Sequence, residues 1–483
     1  MIRHEETENR AAKPVTTSKS GAPEEPTEGR GADRVIPMGE ETPQATKSLV
    51  EELVSKENMA RAYRQVVSNH GSAGVDGMEV EELKAHLKTS WEGIRTSILA
   101  GTYRPEAVRK VMIPKASGGK RMLGIPTVTD RLIQQGLSQI LGPLWEPTFS
   151  DHSYGFRPGR NAHQAVEKAR QYQEEGKYVV VDLDLASFFD EVNHSRLMSR
   201  IMERTPGDWR LHRLIHQYLK TGILEGGVVS QREKGTPQGS PLSPLLSNIV
   251  LDELDKELEK RGHSFVRFAD DCNIYVKSDR SADRVLQSVS RYLEGKMRLK
   301  VNREKSKVRK ASFSKFLGFS FYSNKEGRRV RISEESLARL RKRVKEITRR
   351  GRGRNLGRTI EELNPQLRGW VNYYGKADGM NKMEELDQWI RRRLRQILWI
   401  HWKRPRTRRL KLMAAGLEEA HASQSAYNGR GHWWNAGASH MHLTYPNSYF
   451  HRLGLLSLQE MYETYKTKNA IGTAVYGTVR TVV

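Results

Sequence analysis

Apolar residues follow no regular period over residues 1–46, a stretch rich in Pro, Gly, Ser, Thr and Glu. Such a composition predicts a disordered leader, because it offers too little apolar surface to build a core. A helical period begins at Ser48 and runs to Val67, and the sequence GSAGVDG at 71–77 predicts a glycine-punctuated loop. We therefore expect the folded part of the chain to begin near residue 47.

An alternating segment follows at residues 108–125. Val108, Lys110 and Met112 alternate as a strand does, the chain turns at 117–119, and a second strand is predicted from Arg121 to Ile125. A helix is expected next, with Thr129 or Asp130 as its N-cap. The pattern predicts a basic hairpin followed by a helix.

Two aspartates interrupt the apolar run from Tyr178 to Leu185. A strand period of two places Asp182 and Asp184 on one face of this run. Two neighbouring carboxylates repel each other and resist desolvation, so folding alone does not favour them. Two interpretations stay open: a strand end with one solvated Asp and one helix cap, or a cation site.

The sequence FVRFADDCNIYV at 265–276 predicts two short strands joined by Ala269, Asp270 and Asp271. Asp is common in turns, where it bonds its own backbone, so this pair alone indicates nothing more. Together with the earlier strand, however, three carboxylates would come from two adjacent strands. Such a group can hold two Mg²⁺ ions about 4 Å apart.

Between these segments, residues 233–262 predict a Gly/Pro loop and then a helix. Ser240 is the expected N-cap and Pro241 the first helical residue. The loop is either capping structure alone or a surface that lies against a templating base pair, where Gly239 would permit close backbone approach. The predicted apolar face of the helix consists of Leu242, Leu245, Leu246, Ile249, Val250 and Leu254.

Charge narrows the class of partner. The 483 residues include 82 Lys+Arg and 57 Asp+Glu, a formal net charge of +25, which favours a polyanion such as nucleic acid. No run approaches the ~20 apolar residues of a membrane-spanning helix, and the N-terminus has no apolar signal region. The single cysteine, Cys272, permits neither an internal disulfide nor a Cys-based zinc site. We expect a cytoplasmic protein without membrane contact.

Several motifs, in order along the chain, resemble those of a known family. DLASFFD (184–190), GTPQGSPLSPLLSNIVLDELD (235–255), FVRFADDCNIYV and KFLGFSF (315–321) are similar to the palm motifs of reverse transcriptases. IPKASGGKRMLGIPTVTDRLIQQGL, SYGFRPGRNAHQAV and LNPQLRGWVNYY resemble, more narrowly, the group II intron reverse transcriptase/maturase family. The resemblance spans about residues 48 to 410.

This resemblance implies a right-hand polymerase of α+β class. It implies that Asp184, Asp270 and Asp271 are catalytic and bind Mg²⁺, or Mn²⁺ as a substitute, with the Leu185 carbonyl as a further ligand; Asp182 lies outside the matched motif. The nucleotide-binding residues it implies are Lys115, Lys120, Arg121, Gln238 and one of two phenylalanines, Phe188 or, as the weaker choice, Phe189. The ring of that phenylalanine would clash with a 2′-hydroxyl and so select dNTPs. The template and primer residues it implies are Arg157, Arg160, Pro237, Gly239, Leu317 and Gly318.

One position departs from the family pattern. The family usually has Tyr before Ala-Asp-Asp, and this chain has Phe268. The change removes a hydroxyl and neither carboxylate, so it bears on fidelity or nucleotide positioning more than on activity.

Beyond the palm, helical periods predict a helical thumb. A helix is expected at 333–350 with a serine cap, and two more at 358–374 and 383–402. Trp389, Trp399 and Trp402 are interleaved with cationic residues, which favours an RNA-facing surface over a solvated charged face. The residues expected to bind RNA are Arg391, Arg392, Arg395, Lys403 and Arg404.

The expected organisation has four parts: a leader (1–46), reverse transcriptase fingers and palm with an antiparallel sheet (47–325), a thumb or maturase (X) domain (326–410), and a small DNA-binding-like C-terminal region (411–483). The Cys pairs of an HNH endonuclease are absent, so the resemblance is to the form without that domain. The implied function is RNA-directed DNA synthesis on intron RNA from a DNA primer and dNTPs, target-primed during intron mobility, with assistance to splicing. The alternative is an RNA-binding splicing factor or a host-repurposed reverse transcriptase with little mobility function. Oligomeric state is left open.

Overall fold

The computed structural model describes residues 48–114, 119–225, 228–230, 234–236, 239–349 and 355–470. The predicted leader lies outside these residues. Helices and strands alternate irregularly through the described ranges, and this confirms the predicted α+β class.

The N-terminal part is a helical layer beside a hairpin. Its elements are α1 (Leu49–Leu53), α2 (Lys56–Ser68), α3 (Leu83–Leu99), β1 (Val108–Pro114), β2 (Lys120–Ile125) and α4 (Val128–Trp145). The predicted cap of α4 was wrong. Thr127 is the N-cap, and its Oγ1 accepts the Asp130 N–H at 3.1 Å. The Asp130 carboxylate instead accepts hydrogen bonds from the buried hydroxyls of Tyr103 and Tyr218.

The central part carries the two aspartate segments. Its elements are α5 (Ala162–Glu174), β3 (Val179–Leu183), α6 (Phe188–Glu191), α7 (His194–Arg204), α8 (Trp209–Lys220), β4 (Ile223–Glu225), β5 (Val228–Ser230), α9 (Ser243–Lys260), β6 (Ser264–Phe268), β7 (Asp271–Val276), α10 (Asp279–Tyr292) and β8 (Lys307–Lys310). Helix α9 begins at Ser243, two residues later than the predicted first residue, Pro241. Ser240 caps no helix; its Oγ donates to Gln134 Oε1 and accepts the Leu242 N–H.

Two four-stranded sheets form this framework. The palm sheet has the order β6-β7-β3-β8, and all its pairs are antiparallel, as predicted. The other sheet has the order β2-β1-β4-β5, and β1 pairs with β4 in parallel. This parallel pair arises because the segment after α8, distant in sequence, returns beside β1.

The C-terminal part is a small sheet followed by helices. Its strands are β9 (Lys315–Phe316), β10 (Phe319–Asn324) and β11 (Gly327–Ile332). Its helices are α11 (Glu334–Ile347), α12 (Leu356–Tyr374), α13 (Met380–His401), α14 (Pro405–Ala414), α15 (Glu419–Ala426), α16 (His432–Ala436), α17 (Ser439–Thr444), α18 (Asn447–Arg452) and α19 (Leu458–Ala470). The predicted serine cap of α11 is confirmed, since Ser333 Oγ accepts the Ser336 N–H.

The palm sheet separates two large apolar cores. Val181 and Leu183 of β3 point into one core with the helices on that side, whereas Val180 points into the other. The second core also contains Leu367 of α12 and Phe450 of α18, so thumb and C-terminal helices share it. Within the described ranges, no helix has the length and apolarity needed to cross a bilayer.

Candidate active site

The palm sheet brings the two aspartate segments together at one edge. Strand β3 pairs with β7 so that Leu183 lies opposite Cys272. One step further in the same register, Asp184 comes beside Asp271. Asp270 occupies the turn between β6 and β7, where Phe268 pairs with Asp271. The structure therefore gathers the three predicted carboxylates at the end of two neighbouring strands.

The β6–β7 turn has an unusual backbone. Ala269 has φ +56°, a left-handed conformation that two-residue hairpin loops normally give to glycine. Gly155 presses against this turn: a Cβ on Gly155 would overlap the amide nitrogen of Ala269. The turn is thus held from outside by a loop that approaches more closely than any side chain would allow.

A buried arginine supports the same turn from below. Arg267 has no exposed surface, and its five N–H groups make five hydrogen bonds. Two go to the Asp255 carboxylate at 2.7 and 2.5 Å. The others go to Asn248 Oδ1 at 3.0 Å, the Ala269 carbonyl at 2.9 Å and Ser153 Oγ at 2.8 Å. We call Arg267, Asp255, Asn248 and Ser153 the turn-support network.

The sequence interpretation did not single out any member of this network. The sequence nevertheless indicates such a network, because Arg267 stands inside an otherwise apolar strand. A buried arginine needs a carboxylate partner. The candidate partners, Asp252 and Asp255, stand on the helix just before it. Only the folded arrangement decides that Asp255 is the partner.

The carboxylates perturb one another. Burial first, and then the charges of Asp270, Asp182 and Asp184, together raise the pKa of Asp271 to about 7. Burial likewise raises the pKa of Asp270, with the Asp184 charge adding to the effect. Lys305 Nζ lies 3.7 Å from Asp184 Oδ2 and opposes this repulsion. The strain that remains is of the kind that a bound cation relieves.

These residues fit Mg²⁺ in donor chemistry. Carboxylate oxygens are the ligands that Mg²⁺ prefers. The charges of Asp270 and Asp184 both act on the pKa of Asp271, so the three carboxylates lie near one another. Within the described ranges, however, no three His, Cys, Asp or Glu side chains already converge as a ready-made metal cage. Leu185 forms an isolated β-bridge with Val301. The two hydrogen bonds of this bridge join the Asn302 amide to the Asp184 carbonyl and the Ala186 amide to the Lys300 carbonyl, which is compatible with the predicted role of the Leu185 carbonyl.

The two phenylalanines after Asp184 have different surroundings. Phe188 is 2% exposed and belongs to the core, whereas Phe189 is only partly buried against that core. Their rings meet edge to face at 5.3 Å. The preference for Phe188 as the ring that meets the sugar is therefore corrected: of the two, Phe189 is the one with accessible surface.

The predicted fingers cations lie on β2. Lys120 is exposed and Arg121 is half-buried, and these residues pair with Pro114 and Ile113 of β1. Gly239 has φ +107° and lies against the Gly124 carbonyl, so its close approach is to the hairpin. Lys115, Pro237 and Gln238, which were also predicted to contact nucleotide or template, lie outside the described residues.

The arginines of YGFRPGR are engaged within the protein. Arg157 is buried; it forms hydrogen bonds to the Glu146 carboxylate and to the carbonyls of Ser150 and Ser153. Its predicted contact with template is therefore corrected, because a buried guanidinium with satisfied donors has none to offer. Arg160 is less buried, pairs with Asp151 and lies over the Tyr154 ring.

The predicted primer-side turn contacts the thumb. Leu317 and Gly318 have φ +52° and +81°. A Cβ on Gly318 would lie 2.5 Å from the Tyr374 hydroxyl, and the Tyr373 hydroxyl donates to the Leu317 carbonyl at 2.9 Å. The close approach that glycine permits here is thus to helix α12.

The five predicted thumb cations divide into two groups. Arg395 is 2% exposed, donates to the Tyr445 carbonyl and lies over the Phe450 ring, so its RNA-facing assignment is corrected to a structural one. Arg391 is largely buried beside Asp387. Arg392 stacks on the Trp433 ring at 4.2 Å. Of these five, only Lys403 and Arg404 belong to the exposed residues.

The tryptophans interleaved with these cations are also mostly internal. Trp399 and Trp402 are buried in the second core, and Trp389 is partly buried against it. Trp399 and Trp402 therefore pack the helices together rather than present a stacking face to RNA.

Comparisons with known proteins agree with this architecture. Residues 113–321 match the family described as reverse transcriptase (RNA-dependent DNA polymerase). Residues 337–416 match the group II intron, maturase-specific domain. Among solved structures, the partial Cas6-RT-Cas1–Cas2 complex is 23% identical, covers 52% of this chain and 43% of that chain, and has a TM-score of 0.35, a likeness too weak to carry an argument.

Two curated relatives complete the comparison. Protein YkfC of Escherichia coli (strain K12) is 32% identical over 297 residues, 53% of this chain and 77% of that protein. The group II intron-encoded protein LtrA of Lactococcus lactis subsp. cremoris is 38% identical over 203 residues, 40% of this chain but only 32% of LtrA. The chain therefore belongs to the group II intron-encoded reverse transcriptase and maturase family, with an RNA-directed DNA polymerase domain followed by a maturase-specific domain.

Proposed function

We propose that this protein copies group II intron RNA into DNA by extending a DNA primer at Asp184, Asp270 and Asp271, and that it binds the same RNA to assist splicing. The observation that supports the first activity most directly is the grouping of three mutually repelling carboxylates at the β3–β7 edge. Such a group costs folding free energy, and a catalytic divalent metal site is the use that the family resemblance implies for it. We further propose the cytoplasm as its location.

Asp184, Asp270 and Asp271 would hold Mg²⁺, with Mn²⁺ as a substitute. When bound, a pair of such ions activates a primer 3′-hydroxyl and stabilises the leaving pyrophosphate. The turn-support network keeps Asp270 and Asp271 in place through the Ala269 carbonyl. Lys305, beside Asp184, limits repulsion when the site is empty of cations.

The surrounding residues would orient the nucleotide. Lys120 and Arg121 on the hairpin supply positive charge for a triphosphate. The Phe189 ring, which is the accessible one of the pair, would pack against the sugar and disfavour a 2′-hydroxyl. Discrimination of this kind depends on shape alone, so it would survive the change from Tyr to Phe268 in the catalytic motif.

Primer extension on an RNA template tests the polymerase proposal. The wild type should extend a DNA primer with dNTPs and Mg²⁺, whereas Asp270→Asn/Asp271→Asn should not, while RNA binding is retained. Asp283→Asn is the matched control, since Asp283 is exposed on α10. Extension by the double variant at the wild-type rate would show that these carboxylates are not the catalytic ones.

The match to the maturase-specific domain supports the second activity. We propose that Lys403 and Arg404, the exposed thumb cations, contact RNA phosphates. A plot of log K for RNA binding against log salt concentration has a negative slope, because each phosphate contact releases counterions. Replacing both residues with alanine should make this slope less steep by about one to two. An unchanged slope would place the RNA surface elsewhere. Splicing of the intron RNA should then be measured with the same variants.

A further inference from the structure

Phe156 combines two features that folding alone does not favour. Its side chain is 52% exposed, and its backbone has φ +59°. The left-handed region is sparsely populated by bulky residues because Cβ approaches the backbone too closely there. Neither of the two large cores includes this ring. An unfavourable backbone conformation therefore presents an aromatic ring to the outside.

The residues on both sides of Phe156 are clamped. The Gly155 carbonyl accepts a hydrogen bond from Asn248 Nδ2 at 2.9 Å. On the other side, Arg157 is buried and its guanidinium donates to the Glu146 carboxylate and to the Ser153 carbonyl. Because the residues before and after Phe156 are both held by hydrogen bonds, the backbone conformation between them is determined by the fold. The exposure of the Phe156 ring follows from that conformation.

The clamped loop is joined to the catalytic turn. Gly155 touches Ala269, and Asn248 links the Gly155 carbonyl to Arg267, which in turn donates to the Ala269 carbonyl. Phe156 and Ala269 are both left-handed residues other than glycine. Strained backbone that the surroundings over-determine is concentrated at functional sites. Here two such residues lie on loops in contact, and one of them adjoins Asp270.

We propose that the Phe156 ring packs against a nucleotide of the template–primer duplex beside the reacting primer end, and so sets the duplex position relative to Asp270 and Asp271. The proposal rests on the proposed polymerase function. An aromatic ring suits this task because every base and sugar offers an apolar face, so the contact tolerates any sequence. It also reassigns the motif YGFRPGR: Arg157 holds the loop, and Phe156 meets the substrate.

The test measures binding of an RNA–DNA template–primer and the kinetics of its extension. Phe156→Ala should weaken duplex binding by about 5- to 150-fold, the range for loss of one stacking contact. Phe156→Tyr should restore binding. Trp209→Ala, which removes a ring that is 56% exposed on α8, is the matched control and should bind the duplex as the wild type does.

Phe156→Gly separates a substrate contact from a structural role. Glycine accepts the left-handed conformation without strain, so its thermal midpoint should be at least that of Phe156→Ala, yet binding should be as weak. Wild-type binding by Phe156→Ala or Phe156→Gly overturns the proposal, and so does a binding loss that follows the fall in thermal midpoint. If the wild type does not extend primers, the polymerase proposal fails separately, because the duplex affinities of the Phe156 variants are measured without dNTPs.

Discussion

The turn-support network makes a sharp prediction, because its central ion pair has no exposed surface. Asp255→Ala would leave the guanidinium of Arg267 buried without its carboxylate. Breaking a buried pair in this way costs about 3–5 kcal/mol of stability. No discount for solvent screening applies, since both side chains are fully buried. We therefore expect a large fall in the thermal midpoint and loss of primer extension.

A double variant separates stability from positioning. Arg267→Met/Asp255→Leu removes both charges, and apolar replacement of a buried ion pair is often neutral or stabilising. The Ala269 carbonyl and Asn248 Oδ1, however, each lose a donor, at about 1–3 kcal/mol for a buried unsatisfied group. Its midpoint should therefore also lie below that of the wild type. Extension should stay low, because the Ala269 carbonyl then lacks the hydrogen bond from Arg267.

Thermal unfolding and steady-state extension on an RNA template are the two assays. The matched control is Arg261→Met/Glu257→Leu, which removes a partly exposed pair one helical turn apart, worth about 0.3–0.5 kcal/mol. A defect in positioning should lower kcat more than it raises KM for the template–primer. If the double variant at Arg267 and Asp255 regains both stability and extension, the turn does not depend on this network and the reasoning is refuted.

Three further predictions follow from single positions. Gly155→Ala should lower kcat while duplex binding persists, because a Cβ there overlaps Ala269; an unchanged kcat would contradict the contact. Phe189→Ala should increase ribonucleotide incorporation, whereas Phe188→Ala, in the core, should chiefly lose about 3–5 kcal/mol of stability; the reverse result would restore the original assignment. Burial lowers the pKa of His440 to about 4 in the folded chain, whereas the pKa of this histidine in the unfolded chain is about 6.5. Between these two pH values the unfolded chain binds a proton at His440 and the folded chain does not. Stability should then fall by about 3 kcal/mol between pH 6.5 and 4, and midpoints measured across that range should change less in His440→Gln.

The local pattern of the sequence was enough for most of the elements around the site. Alternation in the segment before Asp184, and the paired apolar runs around Ala269, predicted the strands that the structure contains. Side-chain period determines such local structure because it depends on near neighbours. Helix starts were predicted less well: α4 is capped by Thr127 and α9 begins at Ser243, both different from the prediction, because several nearby polar residues could serve as caps.

The roles of single cations could not be read in the same way. In the sequence, Arg157 and Arg395 look like ligands for nucleic acid. In the structure both are buried: Arg157 donates to the Glu146 carboxylate and Arg395 to the Tyr445 carbonyl, and no sequence pattern indicates either partner. A guanidinium has the same donors whether it faces a phosphate or a carbonyl, so its identity alone does not decide its partner. Burial, which arises only from packing, makes that decision.

By itself, the sequence determined the α+β class, the strands that carry the three carboxylates, and the family motifs in their order. Only the tertiary structure decided which side chains reach the surface beside those carboxylates: Phe189 rather than Phe188, and Phe156 rather than Arg157. It alone joined Arg267 to Asp255 and to the Ala269 carbonyl. The physical reason is that period and composition act along the chain, whereas exposure and hydrogen-bond partners are set by segments that meet only after folding.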